Sequence, residues 1–290
     1  MERLTLQLDW KPNAQFAGVL VADYLGWYRR DGIELSIVPG DMTANPVDLL
    51  RNDDNMVITA DDQLIIEACA ANQPIKAIAA MLQFSAFGWL VLADSDITTM
   101  PHLRGKRVGV HGDGQLALDI ALAHFNMTRH DLEVVHLGYD YAGMLRSRAC
   151  DAIQGFVVTE PFELEMQGLV VRAIPAYEWS YEAYAQVMAA NETLIDRSPD
   201  MLVRFLQLTF DGWRNALAEP NRAVQIITDH YLPGSSPALE GKILQALRPF
   251  LFGNVGLERL GWMEANRWRQ SIGYLAKHNL VRPNLEPQEV

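Results

Sequence analysis

Hydrophobic and polar positions follow two different periods along this chain, and segments with one period alternate with segments with the other. Residues 4–10, LTLQLDW, alternate with the period of two that is typical of a β-strand. Residues 14–28 instead carry apolar side chains on one helical face, and this pattern stops near Gly26. Further strands are predicted over 33–39, 56–60, 74–82, 88–94, 131–137, 151–158 and 168–175, and a turn and strand over 101–110. Further helices are predicted over 45–54, 61–74, 116–127 and 141–149. Strands that alternate with helices predict parallel sheets in an α/β fold.

The pattern changes after residue 190, where helices replace the alternation. Helical periodicity dominates from Ser198 to Asn279, and residues 281–290 form a polar, proline-bearing tail that is expected to fray. An α/β segment is thus inserted between a β/α start and a helical end. We expect two lobes, with lobe I made of residues 1–92 and 186–290 and lobe II made of residues 93–185. Two chain crossings favour a ligand cleft between the lobes.

Composition narrows the class of protein. The 290 residues include 36 acidic and 24 basic side chains, a net charge of −12, which disfavours a nucleic-acid-binding protein. No apolar run reaches the ~18 residues of a membrane span. Cys69 and Cys150 lie far apart and form no C-x-x-C pair, so two buried thiols and one disulfide both remain open.

Candidate chemistry is concentrated at the junctions between strands and helices, since open parallel sheets bind ligands beyond the carboxyl ends of their strands. The first junction holds Trp10, Asn13 and Phe16. A tryptophan face stacks on flat ligands, and an asparagine amide both donates and accepts hydrogen bonds. The competing interpretation is a core tryptophan followed by a helix-capping asparagine.

Two further junctions carry acids and glycines. One of Asp61 and Asp62 is expected to cap a helix, which leaves the other carboxylate for an amino-bearing heterocycle. Exposed N–H groups in a glycine loop attract anions or carbonyl oxygens, although a tight turn explains the same residues. This loop consists of Gly112, Asp113, Gly114 and Gln115.

The remaining candidates are one acid and an aromatic cluster. Glu160 precedes a proline at the end of a buried strand, where it either faces the cleft or favours the start of a helix. Trp179, Tyr181 and Tyr184 lie near the second predicted crossing and suit a hinge and a cleft lining. The seven histidines show no metal-ligand spacing, and no G-x-S-x-G motif occurs. We therefore predict no catalytic residues, no metal and no cofactor.

Four segments resemble the family of periplasmic binding proteins that carry thiamine-pyrimidine precursors. They are LDWKPNAQFAG, VADYLGWYRRDGIELSI, LRGKRVGVHGDG and DAIQGFVVTEP. The family includes formylaminopyrimidine-binding proteins, a riboflavin-binding branch and yeast-type pyrimidine synthases. The resemblance covers most of residues 4–220 and implies a type II periplasmic-binding-protein-like fold, in which two lobes close on a flat ring. It places Trp10, Asn13, the 112–115 loop and Glu160 at ligand contacts.

Departures from the family carry information about the ligand and the chemistry. Phe16 stands where the family often has a histidine, so a larger apolar ring such as a flavin becomes plausible beside a pyrimidine. The synthases hold pyridoxal phosphate on a lysine and use a histidine, but the aligned segment ITADDQ has Thr59 and Gln63. Their cysteine-rich run is also absent, because this region reads WSYEAYAQV.

The sequence thus predicts a monomeric solute-binding protein of an ABC importer, with a permease and an ATPase as partners and no nucleic acid. Its ligand would be a planar N-heteroaromatic vitamin or precursor, such as formylaminopyrimidine or riboflavin. The rivals are a cytosolic pyrimidine-phosphate synthase of thiamine biosynthesis and a ligand-sensing module without transport. We expect a periplasmic or membrane-tethered extracellular protein, or a cytoplasmic one if Met1 is the native start.

Overall fold

The chain divides into two compact units in the computed structural model, which describes residues 1–40, 45–51, 53–111, 114–138, 140–179 and 183–290. The first unit comprises Met1–Phe84 and Ala183–Val290, and the second comprises Ser85–Glu182. Each unit contains a mixed five-stranded sheet with helices. The predicted α/β class with two lobes is therefore confirmed.

The first nine strands follow the predicted order along the chain, and the tenth forms where no strand is predicted. They are β1 (Glu2–Gln7), β2 (Ile33–Val38), β3 (Met56–Ala60), β4 (Ile75–Leu82), β5 (Phe87–Leu92), β6 (Arg107–Val110), β7 (Glu133–His136), β8 (Ala152–Phe156), β9 (Val171–Pro175) and β10 (Ala185–Asn191).

The helices include short ones after the early strands and long ones near the C-terminus. They are α1 (Ala17–Tyr24), α2 (Trp27–Arg30), α3 (Pro46–Leu49), α4 (Asp62–Ala70), α5 (Gln115–His124), α6 (Tyr141–Arg146), α7 (Glu160–Met166), α8 (Glu192–Arg197), α9 (Pro199–Ala218), α10 (Pro220–Ile226), α11 (Pro237–Phe252) and α12 (Ala265–Lys277). None of the helices in the described ranges is long and apolar enough to cross a membrane.

The two sheets are mixed, so the expectation of purely parallel sheets is wrong. The first has the order β2-β1-β3-β10-β4, and β10 runs antiparallel to both of its neighbours. The second has the order β7-β6-β8-β5-β9, and β5 runs antiparallel to β8 and β9. β5 and β10 are each the first strand after the chain passes from one unit to the other. Each of them runs antiparallel to its neighbours in the sheet that it joins.

The unit boundaries lie earlier in the chain than the expected 92/93 and 185/186. The expected first boundary leaves β5 in lobe I, whereas β5 pairs with β8 and β9 and belongs to the second unit. Its apolar run predicts a strand but does not specify which sheet receives it. The expected ligand cleft between lobes stays a prediction.

Local signals explain several element boundaries. Asn45 accepts a hydrogen bond from the Val47 amide through its side chain at 3.0 Å, with Pro46 as the first residue of α3. Gly26, with φ of 69°, separates α1 from α2 and so divides the single helix expected over 14–28. The left-handed backbone there ends α1 before α2 begins.

The C-terminal tail packs on the first unit, which contradicts the expectation that it frays. The Ala77 amide of β4 donates to the Val290 carbonyl oxygen at 2.7 Å, and Arg282 donates to the Ala70 carbonyl oxygen at 2.8 Å. Val281 and Leu285 are buried. Polar composition predicted fraying, but the open edge of β4 offers the tail hydrogen-bonding partners.

The two cysteines are free and buried, which settles the alternative left open by the sequence. Cys69 lies in α4 of the first unit, where its thiol donates to the Ile75 carbonyl oxygen at 3.4 Å. Burial raises the pKa of the Cys69 thiol to about 11. A thiol with this pKa stays protonated near neutral pH and is a poor nucleophile.

Candidate functional site

The segment that follows β1 places Trp10 at the carboxyl edge of the first sheet. The Gly40 amide donates to the Trp10 carbonyl oxygen at 2.9 Å. A Cβ atom on Gly40 would lie 2.4 Å from the Asp9 carbonyl carbon, so this approach requires glycine. Trp10 stays partly exposed, and its contact with a ligand stays a prediction.

Asn13 lies three residues further on and is fully buried. Its Oδ1 accepts from the Gln15 amide at 3.0 Å and thereby caps the short 3-10 turn Ala14–Phe16. Its Nδ2 has no hydrogen-bond partner among the described residues, although it is buried. An unpaired buried donor is destabilising, and a ligand contact by Asn13 stays a prediction.

Asp9 and Thr59 join the ends of β1 and β3. The Thr59 hydroxyl accepts from the Asp9 amide at 2.8 Å and donates to Asp9 Oδ1 at 2.7 Å. Burial raises the pKa of the Asp9 carboxyl, and the bond from Thr59 partly offsets this rise. The pair holds the Trp10 segment against the end of the neighbouring strand.

Glu240, from α11, supports the same segment from the other side. Its Oε2 accepts from the Ala14 amide at 2.8 Å, and its Oε1 accepts from the Ser235 hydroxyl at 2.5 Å. The side chain is 1% exposed. A buried carboxylate at the first amide of the turn satisfies an unpaired helical donor and fixes the position of Asn13.

We expect Glu240→Gln to lower the free energy of unfolding by about 1–3 kcal/mol, because the amide replaces one of two charge-assisted acceptors with a donor. Urea unfolding measures the loss. Glu258→Gln, at an exposed position of the same unit, is the matched control and should change stability by less than about 0.5 kcal/mol. Equal effects of the two variants would contradict the role assigned to Glu240.

Gln186 is the second residue of β10 and lies at the same edge, since Val187 pairs with Ala60 at the end of β3. Its Nε2 donates to Gln15 Oε1 at 2.9 Å. Its Oε1 is buried and has no partner among the described residues. Gln186 also has φ of 50°, in the left-handed region that non-glycine residues rarely adopt.

Asp61 and Asp62 occupy different positions at the start of α4. Asp61 occupies the N-cap position of α4 without a capping side-chain bond, and Asp62 begins the helix in a buried position. Asp62 Oδ2 accepts from the Ser271 hydroxyl at 2.6 Å and from the Tyr184 amide at 3.2 Å. Burial raises the pKa of Asp62 to about 6. Asp62 therefore joins α4 to α12 and to the returning chain.

Arg267 of α12 reaches both places where the chain leaves and re-enters the first unit. Its guanidinium lies 4.7 Å from the Phe84 ring centre and 4.9 Å from that of Tyr184. It also donates to the Gln83 carbonyl oxygen, and the side chain is buried. Cation–π contacts of a desolvated arginine are strong, so Arg267 and Asp62 hold both crossing segments to the helical part of the unit.

The second unit has a polar cluster of its own at the ends of its parallel strands. The His111 amide donates to Gln154 Oε1 at 2.7 Å, directly after β6. A Cβ atom on Gly114 would lie 2.0 Å from the same oxygen. Gly114 is therefore required because the Gln154 side chain occupies the space that a Cβ atom would fill.

His111 and Gln115 make further contacts in this cluster. His111 Nε2 lies 2.9 Å from the Tyr141 hydroxyl, at the start of α6. Gln115 Nε2 donates to the His111 carbonyl oxygen at 3.2 Å, and its Oε1 accepts from Arg129 at 2.5 Å. Gln115 is thus bonded to His111 and Arg129, and any contact that it makes with a ligand stays a prediction.

Glu160 caps its own chain segment at the end of β8. Its Oε2 accepts from the Phe156 amide at 2.9 Å, and the side chain is 8% exposed. Phe16 is fully buried in the first unit. Ligand contacts by these two residues stay predictions, since each has a structural role that accounts for its position.

Some predicted residues lie outside the described part of the chain. Gly112, Asp113 and Tyr181 belong to this group. Trp179 ends a short 3-10 turn, but its side chain is not described.

Sequence reasoning missed four residues of the first-unit cluster. They are Asp9, Gln15, Gln186 and Glu240. Asp9 and Gln15 lie inside the quoted motif LDWKPNAQFAG, so their polar type at a strand-to-helix junction was an available signal. Glu240 lies 226 residues from Ala14, and no local pattern connects them.

Comparison with known proteins identifies the relatives of this chain. The profile of a family described as NMT1/THI5 like matches residues 13–223. The riboflavin-binding protein RibY of Chloroflexus aurantiacus is 22% identical over 300 residues, covering 100% of this chain and 84% of the relative. The formylaminopyrimidine-binding protein of Halalkalibacterium halodurans is 21% identical over 291 residues, covering 96% and 86%.

Enzymes occur among the relatives at the same level of identity. The 4-amino-5-hydroxymethyl-2-methylpyrimidine phosphate synthase THI12 of Saccharomyces cerevisiae is 22% identical over 239 residues, covering 77% of this chain and 69% of the relative. Sequence identity alone therefore does not separate a binding protein from a synthase.

Solved structures show the fold. The periplasmic aliphatic sulphonate binding protein SsuA of Escherichia coli has a TM-score of 0.78 and 16% sequence identity, covering 100% of this chain and 97% of that one. This chain has the two-lobed α/β fold of periplasmic binding proteins, as the resemblance in its sequence implied.

Proposed function

We propose that this chain, which belongs to the NMT1/THI5-like family, is a solute-binding protein that delivers a planar N-heteroaromatic compound to an ABC importer. Its fold is that of periplasmic binding proteins, and its relatives include proteins named for binding riboflavin and formylaminopyrimidine. The ligand class proposed here is a thiamine-precursor pyrimidine or a flavin.

The observation that carries the proposal is the pairing of a partly exposed ring with a buried, unpaired donor. Trp10 offers an aromatic face, and Asn13 Nδ2 lacks an acceptor within the described structure. Flat N-heteroaromatic compounds supply both a π-face and acceptor atoms in the plane of the ring. Ligand pockets typically combine an apolar wall with a few such polar groups.

The proposal assigns partners and a location as well. A permease and an ATPase would receive the ligand, and the protein would act as a monomer outside the cytoplasmic membrane. Glu160 and Gln115 are proposed as ligand contacts as well.

Titration with riboflavin and with formylaminopyrimidine, followed by tryptophan fluorescence and melting temperature, tests the proposal. We expect one of the two compounds to quench fluorescence and raise the melting temperature, because it binds only the folded protein. A flavin that co-purifies would colour the protein yellow. If neither class of compound changes either signal, the proposed ligand class is wrong.

Trp10→Ala is expected to weaken ligand binding by about 1–3 kcal/mol, roughly a 5- to 150-fold rise in Kd, since one stacking face is lost. Calorimetric titration measures this change. Trp262→Ala is the matched control, because Trp262 is an exposed tryptophan of the same unit that lies outside the proposed site. Unfolding of Trp10→Ala would instead assign Trp10 to the core.

The competing function is a pyrimidine-phosphate synthase, which the enzyme relatives favour. At the positions aligned with the synthase lysine and histidine, Thr59 bonds to Asp9 and Gln63 donates to Glu67 at 2.8 Å. These side chains hold the protein's own structure and offer no amine for pyridoxal phosphate. Formation of a pyrimidine phosphate on incubation with pyridoxal phosphate would nevertheless decide for the synthase.

A further inference from the structure

Gln186 combines two unfavourable features at one position. Its side-chain oxygen Oε1 is buried without a partner among the described residues, and the residue is 1% exposed. Its φ of 50° lies in a region that glycine adopts easily and glutamine does not. Unfavourable backbone conformations and unpaired polar groups persist mainly where function requires them.

Gln15 contacts both Gln186 and Asn13 and so connects their two unpaired atoms. The side-chain oxygen Oε1 of Gln15 accepts from Gln186 Nε2, and the backbone amide of Gln15 donates to Asn13 Oδ1. These two contacts orient the side-chain amides of Asn13 and Gln186. Among the described residues, Asn13 Nδ2 is then an unpaired donor and Gln186 Oε1 an unpaired acceptor. Gln15 thus links the unpaired donor of Asn13 to the unpaired acceptor of Gln186 at the carboxyl edge of the sheet.

We propose that Gln186 is a specificity-determining residue of the ligand site, whose Oε1 accepts from an N–H group of the ring while Asn13 Nδ2 donates to an adjacent acceptor. This inference rests on the proposed function. The ligand class that fits is a neutral planar ring with a donor beside an acceptor. An aminopyrimidine has this arrangement in its amidine edge, and a flavin has it in its imide edge.

The chemistry favours such a ring over one that displays acceptors alone. A ring without an N–H would leave Gln186 Oε1 buried and unpaired, and sites built to bond a polar group reject analogues that lack it. A ring with a donor beside an acceptor would pair both atoms. The site therefore discriminates between rings that carry an N–H donor and rings that lack one.

The experiment compares each ring with a derivative that lacks the donor. The probes are riboflavin and its N3-methyl derivative, and 4-amino-5-hydroxymethyl-2-methylpyrimidine and its dimethylamino derivative. The protein is tested as wild type, Gln186→Met and Gln186→Gly. Gln7→Met is the matched control, because Gln7 is a buried glutamine of the same unit whose Nε2 donates to the Leu8, Val38 and Pro39 carbonyl oxygens.

We expect the wild type to bind one parent probe at least tenfold more tightly than its methylated derivative. Gln186→Met should bind the parent and the derivative equally, and it should melt at a lower temperature because the bond from Nε2 to Gln15 is lost. Gln186→Gly should also bind both equally, and glycine adopts the positive φ without strain, which offsets part of that loss of stability. Gln7→Met should melt at a lower temperature and keep the discrimination.

Two outcomes overturn the inference and are distinguishable. If the Gln186 variants keep the tenfold discrimination while Trp10→Ala weakens binding, Gln186 is a structural residue whose oxygen is served by water, and the proposed function stands. If the wild type binds neither parent probe, the proposed function fails and the inference fails with it.

Discussion

Asp62→Asn is expected to raise the free energy of unfolding by about 1–3 kcal/mol at pH 7.5 and to leave it nearly unchanged at pH 4. Burial raises the pKa of Asp62 to about 6 from its usual 3.8. Between these values the folded protein binds the proton more tightly than the unfolded chain, so the contribution of Asp62 to stability falls as pH rises. Above pH 6 the folded state carries the full penalty of a buried carboxylate.

Asparagine stays neutral and still offers an oxygen to the Ser271 hydroxyl or the Tyr184 amide, so it avoids this penalty. Urea unfolding of both proteins from pH 4 to 7.5 gives the difference, and the pH dependence of all other groups cancels. Asp48→Asn, at an exposed position of the same unit, should stay within about 0.5 kcal/mol throughout. A loss of stability at pH 7.5 would show instead that the Asp62 carboxylate and Arg267 attract each other by more than burial costs.

Gly212→Ala is expected to lower the free energy of unfolding by about 3 kcal/mol, because α9 and α1 touch through glycines. A Cβ atom on Gly212 would lie 2.0 Å from the Gly18 carbonyl oxygen. One on Gly18 would lie 2.2 Å from the Trp213 ring. Both obstacles are backbone or a fully buried ring, so the helices must separate to admit the methyl group. Since α1 follows the Asn13 turn directly, the same variant should also weaken ligand binding.

Gly273→Ala is the matched control, since Gly273 lies in α12 with nothing within 4 Å of an added Cβ atom. It should stabilise the protein by about 0.5–1 kcal/mol through helix propensity alone. Denaturant unfolding of both variants separates packing from propensity. Equal stabilisation by the two alanines would contradict the close approach of α1 and α9.

Local sequence signals located the junctions at which polar groups gather. Asn45 and Pro46 marked the start of α3, and the Asn45 cap is observed. Residues 56–60 were predicted as a strand and form β3. The motif LDWKPNAQFAG then placed Trp10 and Asn13 after β1. These features depend on contacts between residues a few positions apart, which is why a pattern along the chain reports them.

The roles at those junctions depended on contacts that no pattern contains. Asp62 was one of two carboxylates with an open assignment, and Ser271, 209 residues later, gives it a buried structural role. Glu160 suited either a ligand or a cap, and the Phe156 amide occupies one of its oxygens. Composition also suggested a frayed tail, whereas the edge of β4 binds it.

The sequence by itself determined the alternation of strands and helices, the two lobes and the family, because periodicity and short motifs are local properties. Only the tertiary structure decided that β10 inserts antiparallel between β3 and β4 and brings Gln186 beside Gln15. It alone left Asn13 Nδ2 and Gln186 Oε1 buried and without partners among the described residues. Whether a polar atom is satisfied depends on every segment packed around it, so folding of the whole chain decides it.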